Sequence, residues 1–160
     1  MINKQIDKLQ KLLLEIEANI IYKDVENLKV STATIGWQLD HALKVFNTVC
    51  NLLAASNPDT YTSKFNATRS FIFLIGRFPR GKVRAPKKVI SNTLNITETT
   101  LINQLNEARS GLKIIQTLDK HAYFHHHIFG NLSKKQTFRF LEIHTNHHLK
   151  IVKEILEIHK

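Results

Sequence analysis

Apolar residues recur at three- and four-residue intervals along four stretches of the chain, and nowhere do apolar and polar positions alternate for long. In the first stretch, from about Lys4 to Ile21, residues Ile6, Leu9, Leu13, Ile16 and Ile20 share one side of a helix. The second begins near Thr34, carries Ile35, Leu39, Ala42, Phe46, Val49 and Leu53 on one face, and ends before Asn57-Pro58, where proline stops a helix. A third opens at Asn95, whose side chain can cap while Glu98 reaches back; Leu101, Leu105, Ala108, Leu112 and Ile115 form its stripe. The fourth opens at Ser133, with Gln136 three residues later completing a second capping box.

Between the second and third helices lies a long connection. It holds a short apolar piece, SFIFLIGRF, that predicts one more helix of two or three turns, and then the turn-rich, basic PRGKVRAPKK. Short links elsewhere and one long crossover predict an all-α fold: an up-and-down four-helix bundle with a short extra helix in the crossover. The chain of 160 residues, 42% hydrophobic, is long enough to bury one core and too short for two, so residues 1–160 form a single domain.

Charge adds a second expectation. Lys plus Arg at 23 against Asp plus Glu at 13 gives a formal net charge of +10, which favours acidic partners or simply a Lys-rich surface. Arg77, Arg80, Lys82, Arg84, Lys87 and Lys88 concentrate cations beside Phe78, so nucleic-acid binding is a minor alternative; no recognised nucleic-acid module accompanies them. Cys50 is the only cysteine, which excludes an internal disulfide. No apolar run approaches membrane-spanning length and the N-terminus reads as an amphipathic helix rather than a leader, so no membrane association and a cytoplasmic location are expected. The apolar segment Phe71 to Ile75 offers a face for a homodimer, although burial against its own bundle is the simpler use.

The chemistry concentrates in the fourth helix. At roughly 100° per residue, Leu141, Val152 and Ile155 define a face with His148 at its middle and His144 toward one edge, whereas His147 points away. Two imidazoles one turn apart in an apolar stripe form half of a metal site, because leaving their nitrogens without partners there is costly. His41 is the third candidate. It lies off the main stripe of the second helix, on a narrower line with Trp37, Val45 and Leu52; either parallel or antiparallel docking can bring it to the pair. Three imidazoles bind a divalent transition metal such as zinc, nickel or iron and leave a coordination position open, which suggests catalysis more than structure. Cys50 faces the other side of its helix from His41 and cannot join them. Asp40 and Glu142 are out of phase with the histidines and read as solvated or helix-pairing charges.

Three segments, WQLDH on the second helix, HHHIFGNLSKKQ before the last and HTNHH within it, together resemble the DinB-like/YfiT-like superfamily of four-helix bundles. The resemblance spans nearly the whole chain and is nearest to a branch of unknown function in which a His-Pro-x-Phe-Gly turn precedes the final helix. Here that turn reads His126-His127-Ile128-Phe129-Gly130, without the proline. The resemblance implies that His41, His144 and His148 are the metal ligands and leaves His126 as a residue that caps or packs locally. It also implies a small-molecule substrate, since some members activate a low-molecular-weight thiol for transfer to an electrophile or for isomerisation. A metal-dependent transferase or hydrolase is therefore expected, with a non-catalytic metal-binding scaffold as the alternative.

Overall fold

The computed structural model describes residues 2–79 and 96–157. Its elements are helix α1 (Ile2–Asn19) with a 3-10 turn at Ile20–Tyr22, α2 (Ile35–Ala54), a 3-10 turn at Pro58–Thr60, and α3 (Ala67–Ile75); after these come α4 (Glu98–Thr117), strands β1 (Tyr123–His126) and β2 (Gly130–Ser133), and α5 (Lys134–Glu157). Local chemistry explains most of the boundaries. The Thr34 hydroxyl accepts from the Trp37 N–H and starts α2, and Asn66 does the same for Arg69 at the head of α3, which Gly76 closes at φ 65°. At α5 the capping box forms in both directions: the Ser133 N–H donates to Gln136 Oε1 at 3.0 Å and the Gln136 N–H to Ser133 Oγ at 3.4 Å.

The start of α4 differs from expectation. Asn95 lies outside the described residues, and Thr97 is the cap, its hydroxyl accepting from the Thr100 N–H at 3.1 Å. Glu98 is thus the first helical residue, out of place for the box predicted with Asn95. At the other end of α4 the buried Lys134 donates from Nζ to the carbonyls of Gln116 and Leu118, supplying partners and a positive charge where a helix leaves its carbonyls bare.

The predicted stripes meet in one core. Leu9, Leu13 and Ile16 of α1, Leu39, Phe46 and Leu53 of α2, Leu101 and Leu105 of α4 and Leu141, Val152 and Ile155 of α5 are all essentially sealed from solvent. Helix α2 packs on α4 and α5, and α1 packs on the same two. Side-chain pairs fix the directions. Lys8 meets Glu142 and Glu15 meets Lys153, so α1 and α5 run the same way; Asp40 meets Gln104 and Asn47 meets Glu107, so α2 and α4 also run the same way. Gln38 meets His148, and the His41 ring lies by both His144 and His148, so α2 and α5 are antiparallel.

The order is therefore up-down-down-up, not the alternating up-and-down order expected from the short links. The reason lies in the crossover: it carries the chain back along α2, about 30 Å at 1.5 Å per residue, before α4 begins. Gly111 lets α2 and α4 approach closely, since a Cβ there would stand 3.0 Å from Cys50 Cβ.

The fold is mostly helical and adds a small two-stranded sheet that the helical pattern did not predict. Strands β1 and β2 pair antiparallel, Phe124 opposite Leu132 and His126 opposite Gly130, where φ is 69°. Each strand turns one buried apolar residue to the core, Phe124 or Leu132, too few for an alternating pattern to stand out in the sequence. The hairpin is clamped by α3: buried Arg69 donates to the carbonyls of Phe129, Asn131 and Lys64, and Asn66 Nδ2 donates to that of Ile128.

Helix α3 buries Ile72 and leaves Phe71 and Leu74 exposed, so the segment is only partly absorbed by its own fold. Of the basic run, Arg77 is described and exposed, while Arg80, Lys82, Arg84, Lys87 and Lys88 lie outside the described residues. Among the described residues no helix is long and apolar enough to cross a membrane.

Candidate metal centre

Helices α2 and α5 bring His41, His144 and His148 together. The candidate ligand nitrogens all lie within 4.8 Å of one another, and the ring centroids are 5.4 Å apart for His41 and His144, 4.8 Å for His41 and His148, and 4.7 Å for His144 and His148. His41 and His148 are buried and His144 is half-buried. Antiparallel docking of α2 on α5 resolves the choice that periodicity left open. It does so through the narrower line of α2: Trp37 stacks on His41 with centroids 5.1 Å apart and planes within 5°, and Val45 is buried. Leu52, assigned to the same line, instead stays about half exposed at 49%.

Nitrogens bound to one tetrahedral ion stand about 3.4 Å apart, given metal–nitrogen bonds of about 2.0–2.1 Å. Side-chain rotations moving atoms on the order of 1 Å therefore bring these three rings onto a common ion. The donor set fits as well. Burial, followed by the charges of neighbouring imidazoles, pushes His144 and His148 well below the ordinary histidine range, so both offer neutral lone pairs at neutral pH.

Gln38 supplies a feature that the sequence reading missed. Its Oε1 accepts from His148 Nδ1–H at 2.7 Å, and Gln38 is itself buried, with Nε2 reaching Ser31 Oγ at 3.3 Å. An Oε1 acceptor requires the His148 proton on Nδ1, which leaves Nε2 as the free donor to an ion. The one signal in the sequence is Gln38 standing one turn before His41 on the same helix.

Asp40 and Glu142 stay outside the cluster, as their phase required. Asp40 is not solvated, however: it is buried, takes a hydrogen bond from Gln104 Nε2 at 2.8 Å and pairs with Lys44 at 2.7 Å, tying α2 to α4. Glu142 pairs with Lys8 and Arg139. Cys50 is buried and its thiol is pushed up to about 12, first by burial and then by Glu107, so it supplies no thiolate at neutral pH.

Beside the three rings lies a cavity of about 570 Å³ whose walls include Trp37, Ile72, Phe78, Phe129 and Phe140. His147, expected to point away, also reaches this wall, edge-on to Phe78 at 5.9 Å and to His148 at 5.2 Å. His126 lines the cavity from the hairpin; its Nδ1 accepts from the amides of Ile128 at 3.1 Å and Phe129 at 3.3 Å, the local capping role expected of it. Compared with known proteins, the chain matches no protein-family model, no curated protein and no solved structure.

Proposed function

We propose that His41, His144 and His148 hold one divalent transition metal, zinc, nickel or iron, and that the protein is a metal-dependent enzyme acting on a small molecule. The reaction class is transfer of a thiol to an electrophile, or hydrolysis, in the manner of the DinB-like/YfiT-like bundles that the chain resembles. One observation carries this reading beyond a metal-binding scaffold: the three-histidine cluster opens on a cavity within the roughly 300–1,000 Å³ range of small-molecule sites. A divalent ion bound by three neutral imidazoles keeps a position for water or a thiol and favours its deprotonated form near neutral pH.

The chain's own residues prepare that position. Gln38 holds the His148 proton on Nδ1, and Trp37 supports one face of His41. Phe78, Phe129 and Phe140 surround the cavity with apolar surface, which limits water around whatever binds there.

The test is stoichiometric metal uptake by tag-free protein, because His125, His126 and His127 already form a histidine run that an affinity tag would extend. His144→Ala and His148→Ala are expected to lose uptake of one ion per chain while keeping their helical circular dichroism. Retained uptake in either variant overturns the assignment. A screen of thiols with electrophiles, and of hydrolysable esters and amides, then separates enzyme from scaffold: turnover that vanishes with the metal supports the former.

A further inference from the structure

The cavity beside the histidine cluster has a chemical bias that its metal ligands do not explain. In a chain of formal net charge +10, no carboxylate, ammonium or guanidinium group lines it among the described residues. Its walls are aromatic and aliphatic, and its polar groups are imidazoles, the Trp37 indole and the hydroxyls of Thr48 and Thr68. In the chain without a metal ion, an ionised molecule entering such a space gives up hydration and finds no opposite charge in return. A neutral aromatic or aliphatic body loses nothing comparable and gains by burial.

His126 gives the cavity a direction. Its Nδ1 accepts two backbone N–H groups, from Ile128 and Phe129, so that nitrogen cannot carry a proton and the ring proton resides on Nε2. The ring lies nearly parallel to His127 at 4.6 Å and to Phe129 at 4.5 Å. Two rings stacked that closely cannot share one face, so both faces of His126 are covered. Phe140 stands tilted at 5.1 Å and Phe124 edge-on at 5.9 Å, so the ring is held in place, and Nε2–H is the one hydrogen-bond donor it brings to the cavity it lines.

We propose that the cavity takes an uncharged, mainly aromatic or aliphatic molecule bearing a hydrogen-bond acceptor such as a carbonyl, and that His126 Nε2–H binds this acceptor. The proposal rests on the metal-centre reading only for what happens to the molecule afterwards; binding itself uses groups outside the three ligands. It narrows the substrate class: ammonium-bearing metabolites are selected against with or without a bound ion, and anions are selected against wherever no divalent ion supplies a counter-charge.

The test compares four probes of one shape, 2-naphthamide, 2-naphthoate, 2-naphthylmethylammonium and 2-methylnaphthalene, by calorimetry and ligand-observed NMR on the full chain freed of metal by chelation. The amide is expected to bind at least about tenfold more tightly than either ion, and about tenfold more tightly than the hydrocarbon, the scale of one well-made hydrogen bond. In His126→Asn the amide oxygen can replace Nδ1 as acceptor for the turn while the distant donor is lost. That variant is expected to reduce 2-naphthamide to the affinity of 2-methylnaphthalene and to leave the hydrocarbon unchanged.

Either ion binding as tightly as the amide overturns the proposal, as does an undiminished amide preference in His126→Asn or the failure of all four probes to bind. Should the variant not fold, the comparison of neutral with ionised probes on the unaltered chain still decides. Zinc uptake measured on separate samples of the same protein keeps the two readings apart. Amide preference without zinc uptake removes the metal assignment and leaves this proposal standing; zinc uptake without amide preference does the reverse.

Discussion

Replacing Gln38 by methionine removes the acceptor of the His148 proton while keeping a long, unbranched side chain of similar volume. Gln38 is 3% exposed and His148 7%, so water does not readily take the vacated place. A buried N–H left without a partner costs about 1–3 kcal/mol, and the folded protein is expected to lose stability on that scale in urea. The effect on the metal is larger in proportion. With no hydrogen bond at Nδ1 the His148 ring is free to change tautomer and orientation, and loss of such a support typically weakens metal affinity about 10–100-fold. Competition for zinc against a chromophoric chelator measures this directly. Gln38→Glu keeps an acceptor at the same reach and is expected to hold zinc at least as tightly as the unaltered chain. Zinc affinity within threefold of the unaltered protein in a folded Gln38→Met variant would refute the claim that this hydrogen bond prepares the ligand.

Three further outcomes follow from particular contacts. Gly111→Ala places a methyl group 3.0 Å from Cys50 Cβ, an atom that no side-chain rotation can move; overpacking of about 1–3 kcal/mol exceeds the gain of up to about 1 kcal/mol in helix propensity, so thermal unfolding should come earlier, and a stabilised variant contradicts the close α2–α4 approach. Arg69→Met leaves the carbonyls of Phe129, Asn131 and Lys64 without their shared donor and should cost about 2–4 kcal/mol, with faster amide hydrogen exchange in the hairpin as the local sign. His126 is lowered to about 4 from its ordinary 6.5, first by burial and then by His127 and His125. Between those values the unfolded chain binds a proton that the folded chain refuses, so stability should fall as pH drops through 6.5 and the loss should level off below about 4. The gap sets a ceiling of about 3 kcal/mol, roughly halved for a ring that is only half-buried. Urea midpoints across this range should slope less in His126→Asn, and an equal slope would show that other groups govern it.

Helix positions were legible because burial on one face writes its period into the sequence: the stripes from Leu9 to Ile16, Leu39 to Leu53, Leu101 to Ile115 and Leu141 to Ile155 are the core of the structure. Directions were less legible. A stripe states which side of a helix is buried but not which way its neighbour runs; the contacts Lys8–Glu142 with Glu15–Lys153, Asp40–Gln104 with Asn47–Glu107, and Gln38–His148 with His41–His144 fix the order. The hairpin stayed hidden because each of its strands, four residues long, buries a single apolar residue, Phe124 or Leu132. At the site, phase selected His144 and His148, whereas His41 depended on a secondary line of which Trp37 and Val45 are packed and Leu52 is not. Gln38 and the cavity are products of tertiary packing. Neither an acceptor 110 residues away from its histidine nor a space between α2, α5 and the hairpin leaves a local pattern.

The proposed function requires three imidazoles from two antiparallel helices to share one ion. X-ray absorption at the zinc edge of tag-free protein loaded with one equivalent tests it most directly. Three imidazole nitrogens at about 2.0–2.1 Å and a further light-atom ligand are expected, with one imidazole fewer, or no stoichiometric ion, in His41→Ala. A spectrum with fewer than three imidazoles, or one that His41→Ala leaves unchanged, would contradict it.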